Sequence, residues 1–268
     1  MVIKMSEKMP ENSQFTALAE YYDKLNGADY KAYASYIENI VKRYGRPDMP
    51  LTLELGCGTG SLTLELAERG YDMIGADVST EMLNVAMDRA YDAEKQILYL
   101  LQDMRSFELY GTVGTVVCAL DGLNYLESEA DILKTMKLVR NYLEFGGVFI
   151  FDVNTPWKFR NVFARHDFFT EDGEGEVYMG WRSEWREEES LCNFLLTLFI
   201  KNEDGTYSMR EEEQTERAWT AEQLKRCITE AGLELVAVHT DLNGSEASLA
   251  DGEEKWFFVC RKPAEGQA

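Results

Sequence analysis

The sequence predicts an α/β fold, a mostly parallel sheet with helices on both faces, to which a small antiparallel β module has been added. Three observations predict it. Short β-type runs alternate with helical stripes from residue 51 to 154, the sequence form of strands joined by crossover helices. A glycine-rich turn follows the first of those runs. From about residue 165 to 218 the apolar period changes to two, as in antiparallel strands. A chain of 268 residues is long enough for one such domain carrying an insert. The expected division is a helical cap at 1–50, the main α/β domain at 51–164 and 219–268, and the insert at 165–218.

Residues 15 to 44 read as two helices. Phe15, Leu18, Tyr22 and Leu25 mark one stripe; Tyr30, Tyr33, Ile37, Ile40 and Tyr44 mark the next. "NGAD" separates them, with Asp29 placed to cap the second. "LTLEL" (51–55) is a strand, and "SLTLELAERG" (61–70) a helix that Gly70 ends. "YDMIGADVS" (71–79) is a strand running into a helix at 79–90, capped by Ser79 or Thr80 with Glu81 at its positive end. Strands follow at 96–104 and 113–120. A helix spans 130–147, ended by a glycine pair, and a fifth strand spans 148–154. The insert holds three long period-two runs, with "NEDGT" a hairpin signal between the last two. A helix at 220–232 and strands at 233–242 and 255–262 complete the chain.

Composition narrows the function. A net charge of −21 repels polyanions, which argues against a nucleic-acid substrate. The five cysteines form no CxxC pair, and two histidines cannot build a His-rich metal site, so no metal is expected. Scattered thiols suit a reducing, cytoplasmic setting. The first residues lack the apolar core of a signal peptide, and no run is long enough to span a membrane. Oligomeric state is not readable.

"LELGCGTGSL" (53–62) carries the chemistry. A strand, a bare loop and a helix N-terminus meet at the carboxyl edge of a parallel sheet, where ligands bind in such folds. A triphosphate loop needs GxxxxGK[ST], which is absent. A dinucleotide loop needs GxGxxG, but Ser61 stands at its third glycine. What is present is an acid, Glu54, followed by Gly56, Gly58 and Gly60. The second strand ends at Asp77, where a carboxylate can accept both hydroxyls of a ribose. The third ends in "QDM", where Asp103 can accept from the amine of adenine and Met104 can pack on the ring.

The series "LELGCGTG", "GADVSTEML", "LQDM" and "LDGLNYL" resembles the class I S-adenosylmethionine-dependent methyltransferases, over nearly the whole chain. The resemblance implies a Rossmann-like seven-stranded sheet whose last strand, "KWFFVCRK", is antiparallel. It implies S-adenosyl-L-methionine as cofactor, held by Glu54, Gly56, Gly58, Gly60, Asp77, Asp103, Met104, Leu120 and Tyr33. "YYDKLNGADY" with the late β insert is similar to the small-molecule branch, which includes bacterial aminosugar N-methyltransferases. In that branch a tyrosine of the "YD" segment lines the site, here Tyr22. Asn124 stands where the sugar enzymes carry a histidine.

The implied reaction is methyl transfer to N or O of a small molecule by in-line displacement, in which positioning supplies much of the rate. A hydroxyl acceptor needs a base, for which Asp121 and Tyr22 are the candidates and His166 a poorer one. Asn124 can orient a substrate by hydrogen bonds. The insert is expected to roof the pocket. Its aromatics Tyr178, Trp181, Trp185 and Phe194 either cage a cationic group or, more often in proteins, pack the insert down. Residues 171–216 carry fourteen acids against four bases, a surface that attracts amines, although runs such as "EEE" at 211–213 read as a solvated face. The rival functions are an RNA or protein methyltransferase, an NAD-dependent oxidoreductase, and a non-catalytic S-adenosylmethionine-binding regulator.

Overall fold

The computed structural model describes residues 15–16, 18–264 and 266. The N-terminal part is a four-residue helix α1 (Tyr22–Leu25) and a long α2 (Tyr30–Tyr44). The α/β succession is β1 (Leu51–Leu55), α3 (Ser61–Glu68), β2 (Asp72–Asp77), α4 (Thr80–Asp92), β3 (Leu98–Leu101), β4 (Val113–Cys118), α5 (Glu129–Tyr142) and β5 (Leu143–Asn154). A short α6 (Pro156–Asn161) leads to the insert strands β6 (Phe168–Glu171), β7 (Val177–Arg186), β8 (Leu191–Lys201) and β9 (Tyr207–Arg217). Then come α7 (Ala221–Glu230), β10 (Glu234–His239) and β11 (Lys255–Arg261).

The main sheet has seven strands in the order β10-β11-β5-β4-β1-β2-β3. β1 to β5 are parallel, and β11 runs antiparallel between β5 and β10. Alternation along β5 serves both faces: Phe149, Phe151 and Val153 join one buried cluster with Trp219 and Phe258, while Val148 and Ile150 join another with Ile37, Val41 and Leu66 of α2 and α3. The caps fall where their chemistry predicts, with Asp29 accepting from the Ala32 N–H and Ser79 from that of Met82.

Two elements differ from the sequence reading. The helix expected over 130–147 stops at Tyr142, and its glycine pair lies inside β5. Gly146 has φ 78°, and the β4–β5 register slips from Val113↔Leu143 to Thr115↔Val148. The glycines therefore make a bulge, and a Cβ on Gly147 would come within 2.8 Å of the Gly114 carbonyl. The stripe at 15–25 is helical only from Tyr22. Before it, the N–H groups of Phe15, Thr16 and Leu18 are taken by the Glu212 carboxylate of β9 at 2.7, 3.1 and 3.3 Å, so they do not enter a helix.

The insert is a four-stranded antiparallel sheet in the order β6-β7-β8-β9. Its inner face packs Val177, Met179, Leu196 and Leu198 on Leu18 and Leu25. Glu212, Gln214 and Glu216 of β9 are also buried, so the run read as a solvated face splits by strand period, Glu211 and Glu213 pointing out and Glu212 in.

Candidate active site

β1, β2, β4 and β5 deliver their last residues to one edge of the sheet. At the end of β1 the backbone turns through Gly56, Gly58 and Gly60 with φ 67°, 52° and 71°, values that favour glycine. The N–H groups of Gly56 and Cys57 donate to the Ala76 carbonyl at 2.8 and 3.1 Å. Asp77 fixes the loop further: its carboxylate accepts from the Gly58 N–H at 2.8 Å and the Ser79 N–H at 2.9 Å. Burial raises the Asp77 pKa, against the pull of those two bonds. A Cβ on Gly60 would meet the Tyr99 hydroxyl at 2.6 Å, so the third glycine is a packing requirement as well as a turn. Glu54, 3% exposed, accepts from the Thr63 hydroxyl at 2.5 Å; burial pushes its pKa up to about 8 despite that bond.

Met104 leans over the loop, its Cε 3.6 Å from where a Gly56 Cβ would sit. Asp103 is next to it, but Arg105 grips both its oxygens, with 3.0 Å contacts from Nε, and holds the carboxyl below its usual range. After β4, Leu120 and Asp121 take left-handed φ values of 55° and 67°. Their N–H groups donate to the two oxygens of Asp152, at 2.8 and 3.3 Å. A strained turn persists only where its surroundings fix it, and here a buried carboxylate does so.

That carboxylate belongs to a charged cluster the sequence reading missed. Antiparallel pairing sets Lys255 of β11 opposite Asn154 and Phe257 opposite Asp152. The Lys255 ammonium donates to Asp121 Oδ1 at 2.5 Å and Asp152 Oδ2 at 2.7 Å. Lys158 of α6 donates to Asn154 Oδ1 at 2.9 Å, and Asn154 Nδ2 donates to Glu216 Oε2 at 3.3 Å. Burial pushes Asp152 up to about 6, Lys255 pulling against it. Burial also raises Asp121, but Lys255 and Lys158 outweigh it and leave that carboxyl below its ordinary value. Burial and then Asp121 push Glu216 up to about 8. One signal for this cluster was available: Asp152 interrupts the apolar strand "VFIFDVN", and a charge in a buried strand needs a partner.

The predicted site residues separate into two groups. Glu54, the three glycines, Asp77 and Met104 gather at the loop. Tyr22 and Asp121 meet the charged cluster: burial, then Asp121, Asp23 and in lesser degree Glu216 raise the Tyr22 phenol, with Lys255 opposing. Tyr33 sits below, its hydroxyl 3.5 Å from Asp152 Oδ2 and its ring 5.9 Å from that of Phe257. Asn124 is a correction. It is fully buried, its Nδ2 donates to the Arg217 and Asn154 carbonyls at 2.8 and 3.3 Å, and its Oδ1 accepts from the Asn154 N–H at 3.0 Å. It ties β5 to β9 and has no donor left for a substrate. His166 is exposed and bonded to the Val162 carbonyl at 3.0 Å. The aromatic cage does not assemble: Trp185 stacks on Phe159, Phe194 packs on Phe163, and Tyr178 stacks on the exposed Phe169 of the outer face.

The N-terminal segment closes over this edge. Asp23 accepts from the Tyr30 hydroxyl at 2.6 Å, from Ser61 at 2.9 Å and from Arg89 at 2.6 Å. Arg89 also donates to Ser61 and to the Thr59 carbonyl, so α1 is bonded directly to the glycine loop. A groove of about 630 Å³ lies elsewhere, lined by the first residues of β1, β2 and β3 with Met87 and Tyr91; of the site groups named above, Tyr99 alone reaches it.

The loop fits a sulfonium nucleoside: bare backbone with only Met104 near Gly56, and an anchored acid at the end of the neighbouring strand. The comparisons agree. Residues 52–147 match the family model of a methyltransferase domain. A protein of Geobacillus sp. (strain WCH70), named as a methyltransferase without an acceptor, is 32% identical over 92% of this chain and 99% of its own length. The dTDP-3-amino-3,4,6-trideoxy-alpha-D-glucopyranose N,N-dimethyltransferase of Streptomyces venezuelae is 31% identical over 54% of this chain and 60% of its own. Among solved structures, an S-adenosylmethionine-dependent methyltransferase from Clostridium acetobutylicum ATCC 824 superposes with a TM-score of 0.82 at 25% identity, covering 92% of this chain and 98% of that one.

Proposed function

Because this chain belongs to the S-adenosylmethionine-dependent methyltransferases, we propose that it methylates N or O of a small-molecule acceptor by in-line displacement. The observation that carries the reading is the charged cluster at the ends of β4 and β5, beside the glycine loop and beneath the insert. An N-terminal segment bonded both to the glycine loop and to the insert suits a small acceptor better than a polymer strand. The aminosugar nucleotide acted on by the Streptomyces venezuelae relative points the same way.

When bound, the cofactor supplies a methyl group made electrophilic by its sulfonium. Gly56, Gly58 and Gly60 would hold it by close backbone approach, Glu54 from behind the loop, Asp77 through ribose hydroxyls, and Met104 and Leu120 by apolar contact. Asp103 would meet adenine once Arg105 shares it. Tyr33 acts one step removed, through Asp152. The chain's own contribution is orientation and exclusion of water, which together supply roughly 7–11 kcal/mol in well-aligned reactions. Tyr22, whose phenol is neutral at pH 7 and is pushed further up by burial and Asp121, offers a hydrogen bond and not a base. Asp121, ionised and held by Lys255, orients the acceptor.

Thermal shift tests the reading. A ligand at a hundred times its Kd adds about 2.7 kcal/mol, so S-adenosylmethionine and S-adenosylhomocysteine should raise Tm while NAD does not. A shift with NAD alone overturns it. Mass spectrometry of lysate metabolites that gain one CH₂ with enzyme and cofactor then identifies the acceptor. A Tm shift with S-adenosylmethionine but no methylated metabolite would favour the regulatory reading.

A further inference from the structure

The charged cluster does not balance. Asp121, Asp152 and Glu216 are three acids, and Lys255 and Lys158 are two bases. Lys255 is committed to Asp121 and Asp152. Lys158 bonds the neutral Asn154 and faces Asp121 ahead of Glu216, while Glu254, which also faces it, is exposed to solvent. The acid left over is Glu216, 7% exposed, which among the described residues receives one hydrogen bond, 3.3 Å long, from Asn154. The other groups facing it are neutral near pH 7: Tyr22 from α1, Tyr125 from the turn after β4, and Cys192 from β8. Tyr125 spends its hydroxyl on Gln214 at 3.1 Å. A buried acid without a countercharge of its own is costly, and a monocation entering beside it would cancel the one negative charge by which three acids exceed two ammoniums.

We infer that Glu216 receives the proton of a cationic amine acceptor, which makes nitrogen the methylated atom and a primary or secondary amine the substrate class. The inference rests on the small-molecule methyl transfer proposed above. The ammonium N–H bond breaks and its proton passes to a Glu216 oxygen. The freed lone pair on nitrogen forms the N–C bond to the methyl group, and the methyl–sulfur bonding pair stays on sulfur. The product forms directly as a methylated ammonium, its nitrogen carrying the charge that left sulfur, and the proton on Glu216 passes to solvent. No histidine is required, which accounts for Asn124 being free to serve as a structural tie. The raised pKa of Glu216 helps in two ways. An empty site is mostly protonated at pH 7, so the acid is not left charged. Entry of a cation then ionises it, and binding releases a proton to solvent.

The test uses the full chain saturated with S-adenosylhomocysteine, titrated at pH 7 with cyclohexylammonium and, separately, cyclohexanol, in phosphate and in Tris. The expected result is at least tenfold tighter binding of the amine, with a buffer-dependent heat that reports proton release. In E216Q the preference should fall below threefold and the buffer dependence vanish. Equal affinities, binding of neither probe, or a preference that survives E216Q overturns the inference. The wild-type comparison of the two probes decides the matter even if E216Q does not fold. Failure of the wild type to bind S-adenosylhomocysteine in the same experiment would instead sink the methyl-transfer reading, and this inference with it.

Discussion

Replacing Glu54 by glutamine should make the protein progressively more stable than the wild type as pH rises. Glu54 is 3% exposed beneath the glycine loop, and burial lifts its pKa from the ordinary 4.5 to about 8, with the Thr63 hydroxyl working against the shift and Asp77 adding to it. A carboxyl whose folded pKa lies above its unfolded one holds its proton more tightly in the folded state. Its stabilising contribution is complete below the unfolded value and is lost as pH rises through the folded one. Each unit of difference is worth about 1.36 kcal/mol. Between pH 5 and pH 8 the wild type should therefore lose about 3–4 kcal/mol that the variant keeps. Glutamine retains the shape and an acceptor for Thr63, so the comparison isolates ionisation. Urea unfolding of both proteins at pH 5, 6, 7 and 8 gives the gap directly. A gap that stays constant within about 1 kcal/mol would show that Glu54 is ionised in the fold and that the reasoning from burial is wrong.

Three further outcomes are expected. Asp77→Ala should weaken S-adenosylhomocysteine binding more than Asp121→Ala does, by roughly 10-fold or more, because it removes charge-assisted bonds worth about 1.5–3 kcal/mol each; calorimetry showing the reverse order would mean the site map is inverted. Lys255→Met should cost about 3–5 kcal/mol of stability by leaving Asp121 and Asp152 uncompensated, and adding Asp152→Asn should restore at least half; a loss below about 1 kcal/mol would show the pair to be solvated. Asn124→Ala should cost about 1–3 kcal/mol through unpaired buried carbonyls and N–H groups while leaving S-adenosylhomocysteine affinity within threefold, and a large loss of affinity with unchanged Tm would return Asn124 to the binding site.

The elements that were legible in the sequence are those whose signal is local. Asp29 and Ser79 announce helix starts because a cap is a contact between residues three apart. The glycine loop and Asp77 sit on consecutive strands, and their spacing is set by one crossover. Gly146 and Gly147 misled because glycine after a helical stripe reads equally as a helix end or a strand bulge, and only the β4 register decides. The Lys255–Asp152–Asp121 cluster was not legible. It joins residues more than a hundred positions apart through antiparallel pairing of β5 with β11, which no period reports. Glu212 and Glu216 could have been found, since alternation within "EEEQTER" puts them on the face shared by Leu196 and Leu198 across β8.

The segment before α2 is moored at two points. Glu212 on the roof sheet holds its start, and Arg89 beside the glycine loop holds Asp23. One stretch of chain thus couples the insert sheet to the turn after β1, so cutting either mooring frees the same segment from both.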